Sequence, residues 1–235
     1  MRVDPFRRKG PVMFKKVVWM AAVATIVTAP SVFAQEHRGE VGVNLGWTFS
    51  DGVDGQGVRA LDGNVYDRVD PKDSFKWGLN GGVYVGPNAE VGFMFSQQLS
   101  KLELGGTSTK EVGDLKISNY HAYFGYNFFD PDVKVRPYLF GGLGATNFGS
   151  VDYTRFNNVQ GTIGSETQFS TTWGAGVKMF ASPNFGIKVG AQWTPTYIKS
   201  DSAGWWCDPY WGCYVVGDAK YANQFDITGG VTFRF

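Results

Sequence analysis

Apolar and polar residues alternate along eight separate stretches of this chain. The last stretch shows the pattern most plainly, because from Asp226 to Phe235 apolar residues or glycine occupy every second position and mostly polar residues stand between them. A period of two predicts a β-strand with one apolar and one polar face. The eight predicted strands are Glu40–Ser50, Phe75–Val85, Ala89–Leu99, Leu115–Phe128, Val135–Thr146, Gln168–Phe180, Phe185–Thr194 and Gln224–Phe235.

The same pattern assigns the two faces of most strands. Trp77 and Trp193 fall on apolar faces, whereas Lys76 and Gln192 fall on polar ones. The fifth strand is ambiguous, because either Leu139 with Leu143 or Tyr138 with Phe140 could form its apolar face.

Short and long connections between these strands alternate. Three connections are short and built on proline with asparagine or aspartate, which favour tight turns: Pro87, Pro131 and Pro183. Four are long: Asp51–Ser74, Glu103–Asp114, Asn147–Thr167 and Thr196–Asn223. Outer-membrane barrels carry short turns on the periplasmic side and long loops outside. Closing the last strand on the first removes the free edges, and lipid covers the apolar faces. The sequence therefore predicts an all-β fold, an eight-stranded antiparallel transmembrane up-and-down β-barrel.

Residues 1–34 have the composition of a secretory leader. Basic residues, among them Arg7, Arg8 and Lys9, precede the apolar run Val17–Ala29, and Val32-Phe33-Ala34 forms a small-residue cleavage site. We therefore expect a signal peptide over 1–34 that is removed, and a barrel domain over 35–235. Removing the six basic and one acidic residues of the leader leaves 16 basic and 20 acidic residues, a net charge of about −4. This charge does not favour nucleic-acid binding.

The aromatic and glycine-rich strands point to a family. Segments Trp77–Tyr84, Pro137–Gly144 and Trp173–Val177, together with the leader and the final Phe235, resemble the eight-stranded outer-membrane β-barrel family of Gram-negative bacteria, the OmpA, OmpX and OmpW type. The resemblance implies a multi-pass barrel in the cell outer membrane. It also implies that Phe233 and Phe235 form the assembly signal that the barrel-insertion machinery recognises.

Charged residues on the polar faces predict a filled interior. An eight-stranded barrel is wide enough only for its own side chains. Glu90, Lys178, Lys188 and Arg234 all lie near the periplasmic ends of their strands. We expect them to form a charge network that plugs the barrel.

The sequence contains no pattern typical of a catalytic, cofactor or metal site. His121 is the only histidine within a predicted strand, and Ser96 and Ser118 are its conceivable partners as nucleophiles. The two histidines and two cysteines of the predicted mature chain do not have zinc-ligand spacing. We therefore expect no enzymatic activity and no cofactor.

Two cysteines lie close together in the last long connection. In a secreted protein, Cys207 and Cys213 predict a disulfide bond. Four aromatic residues surround them: Trp205, Trp206, Tyr210 and Trp211. These aromatics either lie at the lipid headgroup level or form a surface recognition site for a glycan, lipopolysaccharide or a host surface.

The predicted function is a non-enzymatic outer-membrane barrel that acts through its surface loops or supports membrane integrity. Its expected partners are outer-membrane lipid, lipopolysaccharide, the insertion machinery and a ligand at the loops. The alternatives are a narrow channel for small or hydrophobic solutes, a lipid-modifying enzyme and a soluble lipocalin-like carrier.

Overall fold

A computed structural model describes residues 38–59, 65–154, 160–198, 207–208, 212–213 and 221–235. No helix in these ranges is long and apolar enough to cross a membrane. The strands in these ranges are β1 Gly39–Ser50, β2 Val53–Arg59, β3 Val65–Pro71, β4 Ser74–Tyr84, β5 Ala89–Gly106, β6 Lys110–Asn127, β7 Val135–Phe148, β8 Val151–Thr154, β9 Gln160–Ile163, β10 Glu166–Phe180, β11 Phe185–Tyr197, β12 Cys207–Asp208, β13 Gly212–Cys213 and β14 Tyr221–Arg234.

Eight of these strands pair antiparallel in a closed circuit: β1, β4, β5, β6, β7, β10, β11 and β14. Strand β1 pairs with β4 on one side and with β14 on the other. In the closing pair, Glu40 lies opposite Arg234 and Thr48 lies opposite Asp226. Every barrel strand therefore has two neighbours, and the predicted eight-stranded antiparallel barrel is confirmed.

The wall of the barrel is apolar outside and polar inside over most of its height. Trp193 is 47% exposed on the outside, whereas Lys178 is 1% exposed on the inside. The fifth predicted strand, now β7, turns Leu139 and Leu143 outward and buries Tyr138. Its facing depends on pairing with β6 and β10, which the local pattern did not specify.

The hairpin of β5 and β6 differs from the prediction. The sequence pattern predicted that one strand ends at Leu99 and that the next begins at Leu115. It predicted a long loop over Glu103–Asp114 between them. This loop prediction is wrong, because β5 continues to Gly106 and β6 begins at Lys110. Charged residues after Leu99 suggested a loop, but the alternation continues with Leu102 buried inside.

The other three long connections each contain a hairpin. Strand β3 joins β2 to β5 at the edge of the barrel sheet, while β8 pairs with β9 and β12 with β13. The three short turns lie at the opposite end of the barrel.

An apolar cluster lies inside the long-loop end, and we call it the outer apolar cluster. Its members come from the long-loop ends of the barrel strands, from β3 and β8, and from the residue that directly follows β11. They are Val69, Leu102, Leu115, Ile117, Phe148, Val151, Ile198 and Ala222.

Candidate functional site

The interior near the short turns contains a three-residue charge network. The ammonium group of Lys178 lies 3.0 Å from Glu40 Oε2 and 3.0 Å from Glu90 Oε2. Lys178 belongs to β10, and the two glutamates belong to β1 and β5, three strands away around the barrel in either direction. All three side chains are buried. The network therefore crosses the interior.

Neutral side chains complete this network. Tyr84 donates its hydroxyl hydrogen to Glu40 Oε2 at 2.7 Å, and Asn127 donates to Glu90 Oε2 at 3.1 Å. Each carboxylate therefore has a cation and a neutral donor, as buried charges require.

Two buried arginines form hydrogen bonds to the short turns at this end of the barrel. Arg136 donates to the carbonyl oxygens of Phe129 at 3.2 Å and Pro87 at 3.3 Å. Arg234 donates to the carbonyl oxygen of Pro131 at 3.2 Å. Phe129 has a φ of 67°, a left-handed conformation that is uncommon outside glycine.

The structure brings together part of the network predicted from sequence. Glu90 and Lys178 are in contact, and Arg234 lies 3.9 Å from Glu40. Lys188 instead donates to Asn80 Oδ1 at 2.8 Å and forms no ion pair with the described residues.

Two members of the interior were missed by the sequence interpretation. Glu40 lies at the start of the first predicted strand, and extending the period of two from Asn44 would have placed it inside. Arg136 follows from the facing of β7, which the sequence left open. Strand facing was therefore the missing information for Arg136, whereas for Glu40 the pattern was present and only had to be extended to the start of the strand.

The middle of the interior contains a cavity of about 60 Å³, lined in part by Asn80, Tyr123, Tyr138 and Lys188. A water molecule takes about 30 Å³ in the liquid. The cavity is therefore large enough for water but small compared with the pockets of about 300–1,000 Å³ that bind ligands.

On the long-loop side of the cavity, a second ion pair joins Lys76 to Asp226. Thr48 also donates to Asp226, at 2.6 Å between Oγ1 and Oδ1. A chain of amide hydrogen bonds continues toward the outside, from Asn119 to Gln224 at 3.1 Å and from Gln224 to Gln98 at 2.7 Å. These groups satisfy one another inside the barrel.

His121 is buried and hydrogen-bonds to a serine, but this serine is Ser170 and neither of the two that the sequence suggested. Its Nε2 lies 2.9 Å from Ser170 Oγ, whereas Ser118 Oγ accepts a hydrogen bond from Gln97. Its Nδ1 has no hydrogen-bond partner among the described residues. A catalytic serine and histidine need a third group that orients the imidazole. This pair lacks one within the described part of the chain.

No metal-binding group of three or more histidine, cysteine or acidic residues occurs in the described ranges.

The remaining predicted site residues lie elsewhere. Phe233 and Phe235 point outward, 47% and 54% exposed, and their role in assembly stays a prediction. The backbone places Cys207 opposite Cys213 in the β12–β13 pair, and the bond between them stays a prediction. Trp205, Trp206, Tyr210, Trp211 and the leader at 1–34 lie outside the described residues.

Known structures share this architecture. Neisserial surface protein A is 15% identical with a TM-score of 0.52, and the match covers 84% of this chain and 97% of that protein. OprG from Pseudomonas aeruginosa is 14% identical with a TM-score of 0.50, over 85% and 97% of the two chains. The outer membrane protease OmpT from Escherichia coli is 11% identical with a TM-score of 0.44, over 88% and 99%. Only the first two structures, with TM-scores of 0.50 or more, bear on the fold, and identities this low establish the fold alone.

No curated protein matches this chain closely enough to be counted as a relative. The family model for the outer membrane protein beta-barrel domain matches residues 20–235. The chain therefore belongs to the outer membrane protein β-barrel domain family and has the outer-membrane location that this family implies.

Proposed function

We propose that this protein is a plugged, non-enzymatic barrel that anchors its outer hairpins in the outer membrane and supports membrane integrity. The observation that carries the proposal is Lys178 held between Glu40 and Glu90 across the interior. Removing one partner of a buried ion pair typically costs about 3–5 kcal/mol. The network therefore resists the rearrangement that an open pore would need.

The outer apolar cluster supports the same function. Its side chains close the interior at the end where solutes from outside would enter, and Leu115 and Ile117 are completely buried. An ion that passed this layer would lose its hydration, which is costly without compensating polar groups.

Two alternatives are less well supported by the interior. A soluble lipocalin-like carrier does not fit the outer-membrane family of the chain, and the cavity of about 60 Å³ is small beside the roughly 300–1,000 Å³ of typical ligand pockets. A lipid-modifying enzyme needs an activated nucleophile, and the pair of His121 and Ser170 has no carboxylate partner in the described residues.

The outer hairpins are the surface through which the proposed anchor acts. Hairpin β5–β6 continues the barrel wall beyond its apolar belt, and β3 pairs with β5 at its side. A strand ladder holds such a surface in one shape, which lowers the ordering cost of binding a surface ligand. We propose a glycan or a host surface as the ligand at the loops, lipopolysaccharide and lipid around the wall, and the insertion machinery acting on Phe233 and Phe235.

Conductance in planar lipid bilayers tests the plug. The folded protein is expected to give no sustained ion current. Lys178→Ala combined with Ile117→Ala, which weakens the charge network and the outer apolar cluster together, is expected to raise the current. Lys134→Ala, at an exposed position near the short turns, is the matched control and is expected to behave like the wild type.

A narrow channel is the second candidate, favoured by the cavity of about 60 Å³ beside Lys188. Steady unit currents from the wild-type protein would support the channel and contradict the plug. Folding of each variant is checked beforehand by the difference between heated and unheated gel mobility.

A further inference from the structure

Lys188 is an interior cation without a carboxylate partner. Its ammonium group donates to Asn80 Oδ1 at 2.8 Å, and the same oxygen also accepts from Asn44 Nδ2 at 2.8 Å. An ammonium group has three hydrogens to donate. Two of those on Lys188 have no acceptor among the residues that the structure describes. Because a charge inside a barrel is costly unless it is paired, a counterion beside Lys188 would be stabilising.

The nearby carboxylates already have other cations. Glu40 and Glu90 share Lys178, whose ammonium group lies 3.0 Å from an oxygen of each. Arg234 lies 3.9 Å from Glu40. With Lys188, three cations therefore share two carboxylates, which leaves an excess of about +1 in this part of the interior.

Two lysines face each other across the β10–β11 ladder. Lys178 and Lys188 are directly paired, and like charges at such positions repel. Their ammonium groups lie 5.3 Å and 5.9 Å from the ring centroid of Tyr138. The second interior ion pair, between Lys76 and Asp226, is neutral and does not change the excess. An anion beside both ammonium groups would offset their repulsion.

The interior cavity lies beside these groups. Its volume is about 60 Å³, and Lys178, Lys188, Tyr138 and Gly190 all line it. Tyr138 is 8% exposed, and its hydroxyl has no hydrogen-bond partner among the described residues. This hydroxyl lies close to Gly190, where an added Cβ would be 2.6 Å away. The cavity therefore combines free space with unused N–H and O–H donors, which are the groups that bind an anion.

We propose that Lys188 and Tyr138 bind one small monovalent anion of halide size in this cavity. One negative charge matches the local excess, and the small volume excludes organic ligands, whose pockets are typically about 300–1,000 Å³. Lys178 adds positive charge to the site while it keeps its contacts with both glutamates. The proposal goes beyond the plug, because it concerns what neutralises the interior rather than whether the interior conducts ions.

Urea unfolding of the full chain in lipid vesicles tests the site, with sodium chloride compared to sodium gluconate at equal concentration. Gluconate is too large for the cavity and is therefore the reference anion. A ligand of the folded state raises the folded-to-unfolded ratio about tenfold for each tenfold rise in its concentration above the dissociation constant. We expect chloride to stabilise the wild type in this way. Tyr138→Phe removes the hydroxyl donor but no charge, and is expected to weaken chloride binding about tenfold.

Lys188→Met removes the cation and keeps the approximate length of the side chain. This variant is expected to lose the difference between chloride and gluconate. In gluconate it should be at least as stable as the wild type, because an unpaired interior charge has been removed. Lys134→Met removes an exposed lysine near the short turns and is expected to keep the full chloride effect. Heat-dependent gel mobility confirms that each variant is folded.

Crystals grown in sodium bromide locate the anion directly. Anomalous scattering is expected to show a bromide ion beside the Lys188 ammonium group in the wild type and none there in Lys188→Met. An equal chloride effect in the wild type and in Lys188→Met would overturn the proposal, as would no chloride effect in the wild type. A water molecule in place of bromide at this position would overturn it as well.

Discussion

Strand β6 has opposite polarity at its two ends. Near the short turns, Phe124 is 52% exposed on the outside while Tyr123 is buried inside. Near the long loops, Leu115 is buried inside while Lys116 is exposed outside. The strand geometry is the same at both ends, so the difference comes from the surrounding medium, which is lipid at one end and water at the other.

The two regions are therefore stabilised in different ways. In the membrane, lipid covers the apolar face, and hydrogen bonds and ion pairs must satisfy the polar interior. Beyond the membrane, burial of the outer apolar cluster removes apolar surface from water, as in a soluble protein. The comparison predicts that similar substitutions have different effects in the two regions.

The largest expected effect is loss of the central cation. Lys178→Met leaves Glu40 and Glu90 close together without their shared partner, and we expect a loss of about 3–5 kcal/mol. Urea unfolding of the barrel in lipid vesicles measures this change. The triple variant Glu40→Gln, Glu90→Gln and Lys178→Met removes all three charges and is expected to recover most of the stability. An unchanged unfolding midpoint for Lys178→Met would contradict the network's importance.

The next effect compares a residue in the outer apolar cluster with one on the lipid face. Ile117 is completely buried, and Ile117→Ala is expected to cost about 2–4 kcal/mol because a cavity remains. Leu143 is 61% exposed toward lipid, so Leu143→Ala leaves a space that fluid lipid fills and costs less. The same urea titration measures the loss of unfolding free energy in each variant. Equal losses would show that the two regions do not differ.

Removal of the predicted disulfide should affect only the outer region. We expect Cys207→Ser with Cys213→Ser to loosen the last loop, because closing such a short loop stabilises by roughly 2 kcal/mol. Limited proteolysis should cut this loop faster, while heat-dependent gel mobility stays unchanged. Thiol labelling of both cysteines in the unreduced protein would show that the bond does not form.

The smallest expected effect is a pH dependence at the outer end of β5 and β6. Hydrogen bonds from Lys101 and Lys72 lower the pKa of the Glu111 carboxyl from 4.5 to about 2. Since the pKa is lower in the folded protein, this stabilisation is present above pH 4.5 and is lost as the pH falls toward 2. The groups are exposed, so added salt should weaken the effect.

Amide hydrogen exchange at Glu103 and Glu111 between pH 5 and pH 2.5, corrected for intrinsic rates, measures this dependence. Glu111→Gln is the control, because an amide does not titrate in this range. Identical pH profiles for the variant and the wild type would contradict the role of Glu111.

Much of the barrel could be predicted from the chain itself. Period-two alternation identified eight strands, and proline-containing turns separated the hairpins. These signals are local, because side chains of a strand alternate between its faces whatever strand lies beside it. The prediction was wrong at Glu103–Asp114, because charges that face water beyond the membrane resemble the charges of a loop.

The contacts inside the barrel depended on the tertiary structure. The sequence suggested that Glu90, Lys178, Lys188 and Arg234 lie near one end, but it did not show that Lys178 bridges Glu90 to Glu40 while Lys188 contacts Asn80. Nor did it show that His121 lies beside Ser170.

The reason is geometric. Alternation along the chain determined which residues face inward and therefore the kind of interior that this protein has, a polar one. Closure of β1 on β14 determined the register and stagger of all eight strands. Only that closed register brings together side chains from strands three positions apart, and it therefore decided which inward charges meet.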